Sequence, residues 1–213
     1  MKYVLSRYNN DISWLREYTD DYVLYDRSET PIEGAIVVPN IGSDIYDKLS
    51  FIIDNYDNLP EVAVYTKANI YKYISKEEWD LICNNKTFTP ILTKYHPEVL
   101  CDAGMSRPGK PFSFYKDGMY YELNYPAYLK THKTKDPYWS FENTFQEYPL
   151  LKLLGIDQLE YIPFAPGSNY ILPKENILKH PKELYQELRS YLDWDRYPGE
   201  AMIIERGLYT LWK

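Results

Sequence analysis

Residues 35–66 read AIVVPNIGSDIYDKLSFIIDNYDNLPEVAVYT, and the periodicity inside this stretch decides the fold class. Ile45, Leu49, Ile52, Ile53 and Tyr56 fall at i, i+4, i+7, i+8 and i+11, a single apolar stripe at helical period. Asp44 stands in the first turn, where the helix dipole favours an acid. Asp57-Asn58-Leu59-Pro60 ends the helix, and Val62 to Thr66 reads as a buried strand. Upstream, the apolar run Ala35 to Val38 turns at Pro39-Asn40-Ile41-Gly42. Strand, helix and strand at this spacing form a βαβ unit, which requires a parallel sheet.

Working outward, Tyr3 to Tyr8 and Asp21 to Tyr25 are two further short strands, separated by a short helix over Ile12 to Tyr18. Parallel sheets bind ligands outside the carboxyl ends of their strands. That rule directs attention to Arg7, Tyr8, Asp26 and the run Thr66-Lys67-Ala68-Asn69. Downstream, Ser75 and Glu78 have capping-box spacing for a helix reaching Cys83. Residues 84–111 are proline-rich loop, and Lys116-Asp117-Gly118 turns a hairpin between Phe112–Tyr115 and Met119–Leu123. Residues 125–145 read as irregular, Tyr148 to Leu154 as a short helix, and Tyr161 to Leu172 as extended around Phe164-Ala165-Pro166-Gly167. Leu184, Tyr185, Leu188, Tyr191 and Leu192 mark a helix over Lys182 to Leu192, and Met202 to Glu205 reads as a closing strand or short extended piece. The expectation is one α/β domain over 1–213: a central, mostly parallel mixed sheet flanked by helices, with a β-hairpin.

Composition removes several function classes. Thirty-one acids against 24 bases give a net charge of −7, which argues against a nucleic-acid backbone as partner. No apolar stretch is long enough to cross a membrane, and the apolar run in MKYVLSRYNND is too short for a signal peptide. Cys83 and Cys101 fit no metal or redox spacing, so a reducing, cytoplasmic setting is the expectation. His96, His132 and His180 are scattered, and neither a nucleophile elbow, a P-loop nor a dinucleotide fingerprint occurs.

What remains is carboxylates, a few cations and 24 tyrosines. Glu78-Trp79-Asp80 and Asp193-Trp194-Asp195 have the acid-x-acid spacing that can hold a hard divalent ion beside a diphosphate. Helix capping accounts equally well for Glu78, and solvation for Asp193 and Asp195. Asp26, at a strand end, suits a base or ribose, or alternatively a loop salt bridge with Arg27. Backbone N–H groups near Asn40 and Gly42 could face phosphate, as could Lys67. Tyrosine rings in strand-end and loop segments suit stacking on a base or a sugar face.

Val38-Pro39-Asn40-Ile41-Gly42, Asp44, Leu49 and the run Ile52 to Pro60 resemble the signature of the DUF3431-type glycosyltransferase-like family. Phe164-Ala165-Pro166-Gly167, Ile177, His180-Pro181, Tyr185, Leu188 and Glu205-Arg206 fit the same family in the same order. The similarity extends to small glycosyltransferase domains of chlorella viruses that serve capsid-protein glycosylation. The resemblance implies a GT-A-like fold and transfer of a hexose or deoxyhexose from a UDP-sugar donor to a glycan or glycoprotein acceptor. It also implies Mn²⁺ or Mg²⁺, and the host cytoplasm if the protein is viral. On this reading Arg7, Tyr8, Asp26, Asn40, Gly42, Asp44, Thr66 and Lys67 hold the nucleotide-sugar, and Glu78 and Asp80 the metal. Glu205 or Asp102 is the catalytic carboxylate, and Pro166 and Gly167 line the acceptor cleft. One departure stands out: the strand that ends in Asp-x-Asp in most such enzymes here ends in Thr66-Lys67-Ala68-Asn69. The alternative is a non-catalytic nucleotide-sugar or glycan-binding module on the same fold.

Overall fold

The computed structural model describes residues 1–92, 109–124, 133–135, 149–156 and 159–213. Asp102, and the expected loop and irregular segments around it and over 125–132 and 136–148, lie outside the described residues.

The chain opens with β1 (Lys2–Arg7), a 3-10 turn over Ser13–Glu17, β2 (Tyr22–Asp26) and the two-residue β3 (Ile36–Val37). Next come α1 (Ser43–Asp54), β4 (Val62–Lys67), α2 (Lys76–Ile82) and β5 (Thr89–Pro90). The hairpin follows as β6 (Ser113–Lys116) and β7 (Met119–Leu123), then α3 (Pro149–Leu153) and β8 (Tyr161–Pro163). The chain ends with β9 (Tyr170–Pro173), α4 (Lys174–Ile177), α5 (Lys182–Ser190) and α6 (Gly199–Trp212).

A six-stranded sheet runs β3-β2-β1-β4-β9-β5, and a three-stranded one β6-β7-β8. β1 pairs in parallel with both β2 and β4, β2 pairs in parallel with β3, and β9 joins β4 and β5 antiparallel. The molecule is therefore a mixed α/β fold with a mostly parallel sheet, as the spacing predicts. Residues Tyr3 to Ser6 are all buried because a central parallel strand is covered on both faces.

Strand alternation splits the core between those faces. Val4, Tyr25, Ala63, Tyr65 and Leu172 pack with the stripe of α1 and with α5 and α6. Tyr3, Leu5, Leu24, Val64 and Ile171 pack oppositely, against Leu15, Ile70 and Trp79. Tyr56 falls in a 3-10 turn after α1 and still packs against the first cluster. Asp117 and Gly118 both have positive φ (52° and 74°), the geometry of a tight hairpin turn.

One expectation is corrected. Met202 to Glu205 is not a strand but the interior of α6, whose buried residues include Ala201, Ile203, Ile204, Leu208 and Leu211. A helix buried nearly all round shows no amphipathic period, so its β-branched run imitates a strand. Tyr161 to Leu172 is extended on either side of the bend, as expected, with β8 and β9 in two different sheets and joined through the turn at Pro166 to Ser168.

Candidate functional site

β1, β2 and β3 step outward in one direction, and β4 then inserts on the other side of β1. The carboxyl ends of β1 and β4 thus flank the switch point where open parallel sheets take ligands. A crevice of about 210 Å³ opens there. It is lined from β1 by Ser6, Arg7 and Tyr8, from β4 by Lys67 and Asn69, and from the α1 entrance by Asn40, Ser43 and Asp44. Arg27, Asn10, Tyr73 and Tyr197 complete the wall.

α1 begins here because Gly42 adopts a left-handed φ of 64°, with Leu192 and Tyr46 packed against its Cα. No side chain caps the helix. Instead the Gly42 N–H donates to the Asp195 carbonyl (2.8 Å) and the Ser43 N–H to that of Arg196 (3.2 Å). That tie carries the 195–197 turn to the crevice mouth. There the Arg196 guanidinium lies 4.9 Å from the ring centres of both Tyr8 and Tyr197. Both tyrosines are exposed, so an aromatic–cation stack forms the rim.

The floor is a network of buried charges. One Asp44 oxygen accepts from Ser43 Oγ at 2.9 Å and faces Lys67 Nζ at 3.1 Å. The other accepts from Lys48 Nζ and, at 2.6 Å, from Ser168 Oγ. Burial would raise the Asp44 pKa. The ammonium groups of Lys48 and Lys67, with the Lys48 and Ser168 hydrogen bonds, outweigh it and hold the carboxyl far below the usual range. For Lys67 burial acts downward, but Asp44 and Glu205 push its pKa well up, so it stays an ammonium. Burial pulls Lys48 down, against the opposing pull of Asp44.

Two more carboxylates stand behind the wall. Asp26 is buried and accepts from Arg7 Nη1 (2.5 Å), from Ser28 N (2.9 Å) and Oγ (2.6 Å), and from Ile32 N (3.1 Å). Burial opposes its ionisation, and these hydrogen bonds win, so its pKa is lowered. Asp26 therefore pairs with Arg7 rather than Arg27; Arg27 binds the buried Asp47 at 2.5 Å. Burial raises Asp47 to about 6 despite Arg27. Arg7 and Arg27 line the crevice while their partners Asp26 and Asp47 do not, so these two cations face it with their counter-charges set back, whereas Lys67 faces it together with Asp44.

Among the sequence candidates, Arg7, Tyr8, Asn40, Asp44 and Lys67 meet at the crevice, with Gly42 and the buried Asp26 and Thr66 directly supporting it. Glu205 and Gly167 join the same network from behind: the Gly167 N–H donates to Glu205 Oε1 at 2.6 Å, and its carbonyl faces Lys48. Gly167 packs against Tyr73, where a Cβ would lie 2.6 Å from Tyr73 Cζ, while Pro166 is half-buried. Glu205 also sits 3.7 Å from Arg206, whose closer partner is Glu122 at 2.8 Å.

Glu78 and Asp80 do not line the crevice. Glu78 forms the capping box with Ser75, and Asp80 accepts from Tyr18 Oη and pairs with Lys76. Asp193 pairs with Lys135, and Asp195 closes a turn onto the Tyr197 N–H.

Among the described residues Asp44 is the one carboxylate that lines the crevice, and four donors already saturate it. Among the described residues no group of three or more His, Cys, Asp or Glu could hold a metal ion. The described donor set at the crevice therefore does not fit a resident divalent cation.

Sequence reasoning missed Lys48, Ser168, Arg196 and Tyr197. The Asp44–Lys48 pair has i,i+4 spacing, but that spacing ordinarily marks a solvated face. The others are assembled only by contacts across more than a hundred residues.

The fold and crevice define a mixed α/β protein with an aromatic-rimmed crevice, lined by Arg7, Arg27, Lys67 and Asp44, at its sheet's switch point. The chain belongs to the family described as Protein of unknown function (DUF3431), whose model matches residues 4–212. Neither the curated proteins nor the solved structures provide a match. No helix among the described residues is long and apolar enough to cross a membrane.

Proposed function

We propose that the protein is a glycosyltransferase that takes a nucleoside-diphosphate sugar, of the UDP class, into the crevice between β1 and β4. The observation that carries this reading is the convergence of Lys67, Arg7 and Arg27 on the carboxyl ends of parallel strands, beside the exposed Tyr8–Arg196–Tyr197 stack. Diphosphate oxygens match the three cations, and the flat uracil ring matches the aromatic rim. Asp26 orients Arg7 from behind. The order β3-β2-β1-β4 with an antiparallel β9 beside β4 supports the GT-A-like reading of the family resemblance.

In the reaction an acceptor hydroxyl oxygen bonds to the anomeric carbon of a hexose or deoxyhexose and passes its proton to solvent water at the crevice mouth. The bond from that carbon to the diphosphate breaks, its electron pair leaving with UDP. Charge grows on the departing diphosphate, where a pre-placed ammonium has the most effect. Lys67, held forward by Asp44, has that role. Glu205, its Oε1 engaged by the Gly167 N–H, is a positioning residue for Lys67 and the 166–168 turn in this reading.

A non-catalytic nucleotide-sugar-binding module is favoured by one observation: the single lining carboxylate, Asp44, is fully engaged. A thermal-shift screen of UDP, GDP and CMP, each with and without Mn²⁺, followed by an assay for UDP released from UDP-sugars, separates the readings. Stabilisation by UDP with turnover supports the transferase. Stabilisation without turnover supports the module, and indifference to all three nucleotides refutes both.

A further inference from the structure

A second groove, of about 500 Å³, adjoins the crevice and shares Asn10 and Asn69 with it. Its other walls are Asp11, Trp14, Ala68, Tyr71 and Lys72. The Trp14 and Tyr71 rings meet nearly edge to face at 5.7 Å, making an aromatic corner. That corner is rigidly built. Trp14 Nε1 donates to the Ala68 carbonyl at 2.8 Å, Trp79 packs behind Trp14 at 6.4 Å, and the Tyr18 and Tyr71 hydroxyls are 3.3 Å apart. Tyr71 is nonetheless exposed, and Trp14 is only half-buried.

The polar groups beside the corner are chemically selective. Asn69 spends no side-chain hydrogen bond on capping the turn that follows it. The amides of Asn10 and Asn69 each offer donors and an acceptor at the junction of the two cavities. The Asp11 carboxylate is fixed by Ser13 N at 3.0 Å and by Ser13 Oγ, with lone pairs left over. Sugars combine an apolar C–H face with hydroxyls that both donate and accept. An aromatic corner flanked by two amides, the acceptor-only Asp11 carboxylate and the donor-only Lys72 ammonium offers an apolar face together with both donors and acceptors, which complements that pattern.

We infer that this groove binds a glycan, its reducing or non-reducing end reaching the crevice past Asn10 and Asn69, and so supplies the acceptor subsite. The assignment as acceptor, though not the binding itself, rests on the transferase reading.

The test uses the full chain and three probes: cellohexaose, xylohexaose and mannohexaose. The indole N–H resonance of Trp14 is followed in ¹H–¹⁵N spectra, and UDP affinity is measured in parallel by calorimetry. The inference predicts that at least one oligosaccharide shifts the Trp14 resonance. Tyr71→Ala, at an exposed site outside the nucleotide crevice, should weaken that binding about fivefold or more, with UDP affinity held within about twofold. UDP binding with no oligosaccharide effect overturns the groove and leaves the donor reading standing. Oligosaccharide binding that Tyr71→Ala does not weaken also overturns it. Oligosaccharide binding without any nucleotide binding keeps the groove and removes the donor reading.

Discussion

Replacing Asp44 with Asn tests whether the floor of the crevice is a mutually dependent charge network. In the folded protein Lys48 is 1% exposed, and its ammonium is balanced at contact distance by Asp44 alone, with Ser168 Oγ (2.6 Å) and the Gly167 carbonyl (3.4 Å) as neutral partners. Asp44→Asn keeps the shape and one acceptor but removes the charge. Breaking a buried pair from one side costs about 3–5 kcal/mol, because the remaining charge stays desolvated. Lys67 loses the same partner, but its side chain is 24% exposed, so water offsets part of that loss. For a chain of this size about 1 kcal/mol moves Tm by roughly 2–4 °C, so the variant should melt roughly 6–20 °C lower. Urea unfolding followed by tryptophan fluorescence and circular dichroism at neutral pH gives the free energy directly. The double variant Asp44→Asn/Lys48→Met should recover at least part of the loss, since an apolar replacement of a buried pair is often neutral. An Asp44→Asn protein within about 1 kcal/mol of wild type, or a double variant less stable than the single, refutes the network.

Four further outcomes follow from other parts of the molecule. Asp47, raised from 3.8 to about 6 by burial, binds its proton more tightly when folded. Its contribution to stability is full below 3.8 and lost as pH rises through about 6, so Asp47→Asn should flatten the fall in urea-unfolding free energy across that window. Gly42→Ala places a Cβ 2.8 Å from the Cβ atoms of Leu192 and Tyr46 at a φ of +64°. It should destabilise by about 2 kcal/mol or more in thermal unfolding; a change near zero would mean that the α1 entrance is loosely packed. Ser75→Ala should cost about 1 kcal/mol through loss of the capping box, whereas Glu78→Ala should leave UDP affinity within about twofold, with or without Mn²⁺. A tenfold affinity loss for Glu78→Ala would bring that carboxylate back into the site.

The parts of the molecule legible in the sequence are those set by local rules. The stripe from Ile45 to Ile53 named α1, Ser75 and Glu78 named the cap of α2, and Asp117-Gly118 named the hairpin. Once three parallel strands were placed, their carboxyl ends led to Arg7 and Lys67 without further information. α6 was hidden because burial on all sides erased its period, and its Gly207 is fixed by Leu154, a residue from a distant segment. Lys48 was hidden because a buried lysine looks like any other until Asp44 and Ser168 are seen around it. Arg196 and Tyr197 reach the rim through backbone hydrogen bonds from Gly42 and Ser43, which no side-chain pattern announces. Long-range assembly, rather than local propensity, separates what could be read from what could not.

The central claim is that Lys67 meets the diphosphate of a nucleotide in the crevice between β1 and β4. Titration calorimetry of UDP into wild type and Lys67→Met tests it most directly, with circular dichroism to confirm that both are folded. A charge-assisted hydrogen bond of about 1.5–3 kcal/mol predicts a loss of roughly 10–100-fold in affinity for the variant. UDP binding of equal strength in the two folded proteins, or none in wild type, would contradict it.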